Sequence, residues 1–363
     1  MKPFIRTAIF LLIALSLVAT SFVQAQKVAT PFEFQFEGNT LRGLIETPTD
    51  KPSTAVVFII PGSGRTNFVE GNWFGSLREQ LVSFGLTVVL WDKMGCGQSE
   101  GEFNELQPVS NSADEAIVAI ERIRKMKVSG YEKIGLWGLS RGGWICPLIN
   151  EQHPVDFWIS ASGTDDKENF GYLVKSNLLI AGKSEAEAEH LYQAWLAGHR
   201  LQCTGGSYED FLQAIEPLTQ DSTSRRLFNY SQVTTITDED RAIYKADCAL
   251  YTSKGHFDEE SGLWVVIQDF DQTLMGIQCP VLALFGENDS QVDWRKTKHL
   301  YEQTIGANPA AELTTRVFPQ CNHTLQKCIT CAWGEDLSAL QWQACDQYYE
   351  TMEGWLREHS FIK

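Results

Sequence analysis

The sequence predicts an α/β protein with a mainly parallel central sheet, helices on both faces and an inserted helical cap. Short apolar, β-rich runs alternate with helical stretches up to about residue 163, and the alternation resumes after residue 273. Strands buried on both faces of a parallel sheet have such near-continuous apolar runs. The chain has 363 residues, 43% hydrophobic and 21% charged, which is typical of a globular protein with a large core.

The elements before residue 163 follow from apolar runs and turn signals. Alternating or continuous apolar patterns predict strands at residues 32–36, 41–46, 55–60, 86–91, 133–137 and 156–160. Apolar spacing of the helical type predicts helices at residues 73–84 and 113–126 and a further helix starting at Ser140. Glycine-rich turns after residues 60 and 92 separate these elements.

The strand and helix alternation stops between residues 164 and 273, where we expect an inserted helical cap. Helical patterns at 184–199 and 208–215 are rich in Leu, Tyr and Trp. The alternative is a continuation of the core with irregular strands. Strands are then predicted at 279–285 and 313–318, and helices at 293–303 and 339–358. The predicted α/β core therefore comprises residues 26–163 and 274–363.

Residues 1–25 have the organisation of a secretory signal peptide. Lys2 and Arg6 precede an apolar run over residues 8–18, and Val23-Gln24-Ala25 resembles a cleavage site. The alternative is a membrane anchor, but this run is shorter than the roughly 20 residues that span a bilayer. The residue directly after Ala25 is Gln26 rather than Cys, which argues against a lipoprotein. We expect a secreted or periplasmic bacterial protein without stable membrane insertion.

The acidic composition argues against polyanionic partners. The formal net charge is −16, and loss of Lys2 and Arg6 with the leader would make it −18. Such a charge repels nucleic acid and anionic lipid, so nucleic-acid binding is not expected.

Nine cysteines in an exported chain permit disulfides. Cys96, Cys146 and Cys279 lie in core-like segments and are predicted to be buried thiols. The remaining cysteines form a middle pair and a C-terminal group of four, and we expect disulfides within each set: Cys203 and Cys248; Cys321, Cys328, Cys331 and Cys345. A structural zinc held by the last four is the alternative, since Cys328 and Cys331 have suitable spacing.

The sequence Gly138-Leu139-Ser140-Arg141-Gly142 follows a predicted strand and opens a predicted helix. In that context G-x-S-x-G forms a nucleophile elbow, a sharp turn that exposes the serine in a strained backbone conformation. The flanking glycines avoid collisions with neighbouring elements. Ser140 is thus the predicted nucleophile. The alternative is a glycine-rich turn with a helix-capping serine.

A serine nucleophile needs a base and an acid that orients the base, and in this arrangement they follow in the order Ser, acid, His. His323 lies just past the last predicted strand and is the predicted base, because His299 falls inside a predicted helix and His359 lies at the end of the predicted terminal helix. Asp289 follows the strand at 279–285 and is the predicted acid. Its competitors are Asp293, a predicted helix N-cap, and Glu287.

Acyl transfer also requires donors to the oxyanion. One is expected from the backbone N–H of Arg141, directly after the nucleophile. The second is expected from the turn Pro61-Gly62-Ser63-Gly64, through the N–H of Ser63 or Gly64. An ordinary turn is the alternative for this segment.

These motifs together resemble a known family. The residues that carry the resemblance are Pro61-Gly62-Ser63-Gly64, Asp92-Lys93-Met94-Gly95-Cys96-Gly97-Gln98-Ser99, Gly138-Leu139-Ser140-Arg141-Gly142-Gly143, Gly286-Glu287-Asn288-Asp289-Ser290-Gln291-Val292 and Asn322-His323. They are similar to secreted α/β-hydrolases of the esterase and dipeptidyl aminopeptidase-like branch. The resemblance implies the α/β-hydrolase fold and a Ser-His-Asp hydrolase of esters, or of amides or thioesters, without metal or organic cofactor.

Two segments depart from the pattern of that family. Arg65-Thr66-Asn67 follows the Pro-Gly-Ser-Gly turn, where relatives often carry acidic and basic residues. A Cys-rich segment, residues 321–331, surrounds the predicted base.

Three functions remain open. An esterase acting on a small-molecule ester is favoured, because an aromatic-rich cap suits an apolar acyl or aryl group. An aminopeptidase or amidase would need an acidic clamp for a substrate amine, for which residues 238–240 or Glu259 and Glu260 are candidates. A non-catalytic binding protein is least favoured, because Ser140, Asp289 and His323 are all present. Dehalogenase and epoxide-hydrolase chemistry uses Asp at the elbow and is excluded.

Overall fold

The computed structural model describes residues 27–105, 107–230, 236–252 and 256–363. The predicted signal peptide lies outside the described residues. Among the helices that the structure describes, none has the length and hydropathy of a membrane span.

An eight-stranded sheet forms the centre of the molecule, in the order β1-β2-β4-β3-β5-β6-β9-β10. β1 pairs with β2, and β2 with β4, in antiparallel fashion, whereas the remaining neighbours are parallel. The strands are β1 (Lys27–Phe36), β2 (Asn39–Pro48), β3 (Ala55–Ile60), β4 (Leu86–Trp91), β5 (Ile134–Leu139), β6 (Phe157–Ala161), β9 (Pro280–Gly286) and β10 (Glu312–Phe318). All the predicted strands are present.

Alternate residues of the central strands face two separate apolar layers, as the pleat of a strand dictates. In β3, Phe58 belongs to the layer formed with α2 (Val109–Met126) and α3 (Gly142–Gln152). Val57 belongs to the opposite layer, formed with α1 (Gly75–Phe84) and α12 (Tyr348–Glu358). β3, β4 and β5 are buried throughout, which explains their unbroken apolar sequences.

Between β6 and β9 the chain is mostly helical. Six helices, α4 to α9, and the hairpin of β7 (His256–Asp258) and β8 (Leu263–Val265) lie in this inserted region. The helices are α4 (Phe170–Ile180), α5 (Glu185–Thr204), α6 (Tyr208–Ala214), α7 (Glu216–Gln220), α8 (Ser222–Phe228) and α9 (Asp238–Thr252). Helices α4 to α8 contribute side chains to a small separate apolar core around Leu178 and Leu218. The next helix, α10 (Phe270–Met275), contributes Phe270 to the layer that contains α3 instead.

The C-terminal region differs from expectation in one element. The terminal helix begins at Tyr348 rather than at residue 339, and a short 3-10 turn occupies Ser338–Leu340. Gln341, Trp342 and Gln347 have positive φ, which is incompatible with a continuous α-helix. α11 (Trp294–Gln303) lies as predicted, with its N-cap at Asp293.

The disulfide expectation holds for the C-terminal group and fails for the middle pair. Cys321 is bonded to Cys345 and Cys328 to Cys331. The prediction of a disulfide between Cys203 and Cys248 is wrong in this structure: both are buried, and neither is disulfide-bonded. The Cys203 sulfur lies instead 3.5 Å from Nε2 of His199, on the same helix. Cys96, Cys146 and Cys279 are buried thiols, as predicted.

Candidate active site

Ser140 occupies a strained turn between β5 and α3. Its φ is 53°, in the left-handed region that residues other than glycine rarely adopt. A Cβ on Gly138 would come within 2.6 Å of the Cys146 sulfur, and one on Gly142 within 2.9 Å of the Ile60 carbonyl oxygen. The turn therefore requires both glycines, for the steric reason that the sequence predicted.

Asp289 and His323 form a buried hydrogen-bonded pair. Nδ1 of His323 lies 2.7 Å from Oδ2 of Asp289, and the two residues are 6% and 3% exposed. The other carboxylate oxygen, Oδ1, accepts hydrogen bonds from the backbone N–H groups of Gln291 at 2.8 Å and Val292 at 2.9 Å. Both carboxylate oxygens are thus engaged, which fixes the orientation of Asp289 and through it that of the imidazole.

The competing acids have other positions. Asp293 caps α11 by accepting the backbone N–H of Arg295 at 3.3 Å, and Glu287 is exposed. The structure thus pairs Asp289 alone of the three with His323.

The sheet brings Ser140 to the same edge as this pair. Register rows join Leu139 to Ala161, Ala161 to Leu284 and Leu284 to Arg316 across four parallel strands. Ser140 follows β5, Asp289 follows β9 and His323 follows β10, so all three leave the sheet at the carboxyl ends of its strands. That edge is where open α/β sheets bind ligands.

The Pro61-Gly62-Ser63-Gly64 turn lies beside the nucleophile. A Cβ on Gly62 would come within 3.2 Å of the Ser140 Cβ. Within the described part of the chain, the backbone N–H groups of Ser63, Gly64 and Arg141 donate to no protein acceptor. These three predicted oxyanion donors are therefore not satisfied by the protein itself.

Residues with no role predicted from the sequence hold this turn in place. Nζ of Lys93 donates to the carbonyl oxygens of Gly62 at 2.6 Å and Gly64 at 2.8 Å. The Lys93 backbone N–H donates to Oγ1 of Thr66 at 2.8 Å, and Arg65 donates to the Gly95 carbonyl at 3.1 Å. The departure from the family pattern at residues 65–67 thus provides anchors for the turn.

A buried charged cluster lies behind the elbow. Burial lowers the pKa of Lys93 to about 8 and that of Arg141 to about 10. Burial raises the pKa of Glu115, whose carboxylate accepts the indole N–H of Trp91 at 2.6 Å. The Arg141 side chain is directed away from solvent, donating to Ser112 Oγ at 3.1 Å and to the Gln107 carbonyl. Only its backbone N–H is available as an oxyanion donor.

Helix α4 of the inserted region contacts the loop that carries Asp289. The Tyr172 hydroxyl donates to the Asp289 carbonyl at 3.1 Å, and Ser176 Oγ donates to the Ser290 carbonyl at 2.6 Å. Asn177 donates to the same Ser290 carbonyl and accepts the backbone N–H of Trp333, just after the Cys-rich segment. No pattern in the sequence indicates these contacts, because they join segments more than 100 residues apart.

The candidate residues for an acidic clamp form ion pairs and hydrogen bonds at the protein surface or are exposed. Asp238 pairs with Arg241 at 3.1 Å, Asp240 accepts bonds from Thr237 at the start of α9, and Glu259 pairs with Arg200. Glu260 is exposed. Among the described residues, no group of three or more His, Cys, Asp or Glu side chains is arranged to hold a metal ion.

Comparisons with known proteins agree with this architecture. Residues 51–170 match the sequence model of a hydrolase family described as serine aminopeptidase, S33. No curated protein sequence matches the chain significantly. A solved esterase of Pyrococcus furiosus is similar, with a TM-score of 0.52 and 12% identity over 92% of this chain and 91% of that one.

Two further solved structures are similar over most of their length. Proline iminopeptidase of Mycobacterium smegmatis has a TM-score of 0.54 and 17% identity, over 91% of this chain and 98% of that one. DcsB in complex with a substrate analogue has a TM-score of 0.53 and 14% identity, over 92% and 99%. The chain therefore has the α/β-hydrolase fold, as its motifs predicted.

Proposed function

We propose that the protein is a serine hydrolase that cleaves carboxylic esters, with Ser140 as nucleophile, His323 as general base and Asp289 as the acid that orients His323. The observation that carries the proposal is the buried 2.7 Å hydrogen bond between His323 and Asp289, at the sheet edge from which Ser140 also emerges. The strained backbone of Ser140 supports the same assignment, because nucleophile elbows store such strain.

The hydrogen bond to Asp289 determines which nitrogen of His323 acts. Nδ1 keeps its proton and donates a hydrogen bond to the Asp289 carboxylate, so Nε2 is the basic nitrogen. Nε2 removes the hydroxyl proton of Ser140 while Oγ bonds to the ester carbonyl carbon and the carbonyl electron pair moves onto oxygen. When this intermediate collapses, the bond to the alkoxy group breaks and Nε2 delivers the proton to the departing alcohol. Water repeats the sequence on the acyl-enzyme and releases the acid.

The negative oxygen of each intermediate would be bound by the backbone N–H of Arg141 and by that of Ser63 or Gly64. Their lack of protein acceptors supports this role, since preorganised donors cost no reorganisation during the reaction. The strain and the free N–H groups together favour catalysis over a non-catalytic binding protein.

The match to a family described as serine aminopeptidase favours peptide or amide cleavage as the second candidate. Against it, Asp238, Asp240 and Glu259 are engaged at the surface. Glu168, a buried acid between β6 and α4, has a pKa that burial raises to about 8, so it is poorly suited to bind an ammonium group as an anion. These observations support ester cleavage as the principal activity.

We further propose that residues 164–273 act as a cap over the site and that the protein works outside the cytoplasm. The contacts from Tyr172 and Ser176 to the Asp289 loop support the first assignment. The two disulfides support the second, because such bonds persist in oxidising compartments.

The test compares purified wild-type protein with Ser140→Ala on chromogenic acetate, butyrate and octanoate esters and on aminoacyl anilides. Ester turnover that disappears in the variant supports the proposal. Faster Ser140-dependent turnover of anilides would favour the peptidase instead, and turnover that persists in Ser140→Ala would contradict the assigned nucleophile.

A further inference from the structure

Lys93 connects the turn beside the nucleophile to the charged cluster that it forms with Arg141 and Glu115. It lies two residues past the end of β4, next to Asp92, whose fully buried carboxylate accepts the backbone N–H groups of Phe68 at 2.5 Å and Gln98 at 3.0 Å. Gly97 has φ +48°, and a Cβ there would meet the Asp92 carboxylate at 2.1 Å. The backbone that carries Lys93 is therefore rigidly held.

We propose that Lys93 is a positioning residue for the oxyanion hole: its ammonium group binds the Gly62 and Gly64 carbonyls and thereby aims the Ser63 N–H at the reacting oxygen. This inference rests on the proposed function of the Ser140 site. It also selects Ser63 over Gly64 as the second donor.

The argument begins with peptide geometry. In a planar trans peptide the C=O and the N–H of the next residue point in opposite directions. Because Lys93 Nζ holds the Gly62 carbonyl at 2.6 Å, the Ser63 N–H of the same peptide must point away from Lys93. That peptide starts at Gly62, whose Cα lies next to Ser140, so its N–H is within reach of an acyl group on Oγ.

A glycine-rich turn needs such a restraint. Gly64 has φ +86°, and no heavy atom would contact a Cβ placed there. A glycine without such contacts has wide freedom of its φ and ψ angles. If a peptide beside it flipped, its carbonyl rather than its N–H would point toward the oxyanion. Two hydrogen bonds from one ammonium group, 2.6 and 2.8 Å long, lock both peptide planes at once.

The charge of Lys93 is retained at a cost. Among the described residues, no carboxylate lies within ion-pair distance of its ammonium group; Glu115 and Glu105 act on it only from farther away, and Arg141 repels it. A partly buried cation without an ion pair lowers the stability of a fold unless its hydrogen bonds offset the loss of hydration. Here its donors go to the two carbonyls of the turn.

The experiment measures Ser140-dependent ester hydrolysis by wild type, Lys93→Met, Lys93→Arg and, as matched control, Lys125→Met, which removes an exposed lysine. We expect Lys93→Met to lower kcat about 10- to 100-fold with little change in KM, since loss of one oxyanion donor costs about 10²- to 10³-fold. The inhibition constant of an alkyl trifluoromethyl ketone, whose serine adduct is a tetrahedral oxyanion, should rise by a similar factor. Lys93→Arg should recover part of both losses.

The outcomes separate this inference from the proposed function. Activity that survives Ser140→Ala contradicts the proposed function itself. Activity that requires Ser140 but is unchanged in folded Lys93→Met, or that falls through KM with no change in ketone affinity, overturns the role of Lys93 alone. If Lys93→Met does not fold, Lys93→Gln replaces it, because a neutral amide can replace only part of the two hydrogen bonds to the turn. Ketone affinity equal to that of wild type in Lys93→Gln also overturns the proposal.

Discussion

The buried pair of Glu168 and His199 should make the stability of the protein depend on pH just above neutrality. Oε1 of Glu168 lies 3.2 Å from Nε2 of His199, and the two residues are 6% and 3% exposed. Burial raises the pKa of Glu168 to about 8 and lowers that of His199 to about 4. The pair therefore holds one proton between about pH 4 and about pH 8, whichever partner carries it.

The unfolded chain releases the corresponding proton earlier, near pH 6.5, where free imidazole titrates. Between pH 6.5 and 8 the folded protein thus binds one more proton than the unfolded chain, so its stability falls as pH rises. Over that interval the loss amounts to about 2 kcal/mol. The pKa of Asp165, which burial raises to about 6, lies below this interval, and Lys93, whose pKa burial lowers to about 8, affects stability above it.

Glu168→Gln is the perturbation, because glutamine has nearly the shape of the neutral acid and does not titrate. We expect the free energy of urea unfolding of wild type, followed by tryptophan fluorescence, to fall by about 2 kcal/mol from pH 6.5 to 8. The Glu168→Gln profile should be flat, and that of Glu259→Gln, an exposed acid in the same region, should follow wild type. A wild-type profile without this decline, or a Glu168→Gln profile that declines equally, would contradict the assignment of this proton to the Glu168 and His199 pair.

Three further predictions concern the site and its support. Asp289→Asn should leave the fold intact and lower kcat about 10⁴-fold, because an amide stabilises the wrong tautomer of the histidine. Steady-state ester hydrolysis measures this loss, and a loss below tenfold would contradict the orienting role of Asp289. Cys345→Ser removes the disulfide to Cys321, which spans a sequence separation of 24, and should lower the free energy of unfolding by about 3 kcal/mol. Urea denaturation without reductant measures this change. An unchanged free energy of unfolding would show that the disulfide is dispensable. Gly138→Ala places a Cβ within 2.6 Å of a buried sulfur and should destabilise the protein by about 1–3 kcal/mol. Its control, Gly354→Ala, meets no atom within 4 Å and should be neutral or stabilising; equal melting temperatures for the two variants would contradict the steric account of the elbow.

Much of the sheet could be predicted because its local signals are strong. Ala55–Ile60 and Leu86–Trp91 have exactly the bounds that their apolar runs indicate, since a strand buried on both faces leaves no polar position inside it. The terminal helix was predicted nine residues too long at its start. Local apolar spacing continues through residues 339–347, but the bond between Cys321 and Cys345 and the positive φ values nearby hold that segment in turns.

The candidate site could be predicted only in part. Ser140, Asp289 and His323 each follow a strand, so strand order alone indicates which of them share a sheet edge. Lys93 also lies just past a strand, but its role depends on hydrogen bonds to two backbone carbonyl groups 29 and 31 residues away. Every residue has such a carbonyl, so the sequence does not indicate which ones Lys93 binds. The prediction of a disulfide between Cys203 and Cys248 failed for a related reason. An even number of cysteines within a region says nothing about the direction in which their side chains point.

The most direct test of the central claim is whether Ser140 forms a covalent adduct that depends on His323. Wild-type protein treated with a fluorophosphonate ester is digested, and the modified peptide is located by mass spectrometry. We predict a single stoichiometric adduct on Ser140, absent from Ser140→Ala and formed at least 10²-fold more slowly in His323→Gln, because the hydroxyl is a weak nucleophile without its base. An adduct on another residue, or labelling of Ser140 at an equal rate without His323, would contradict the account.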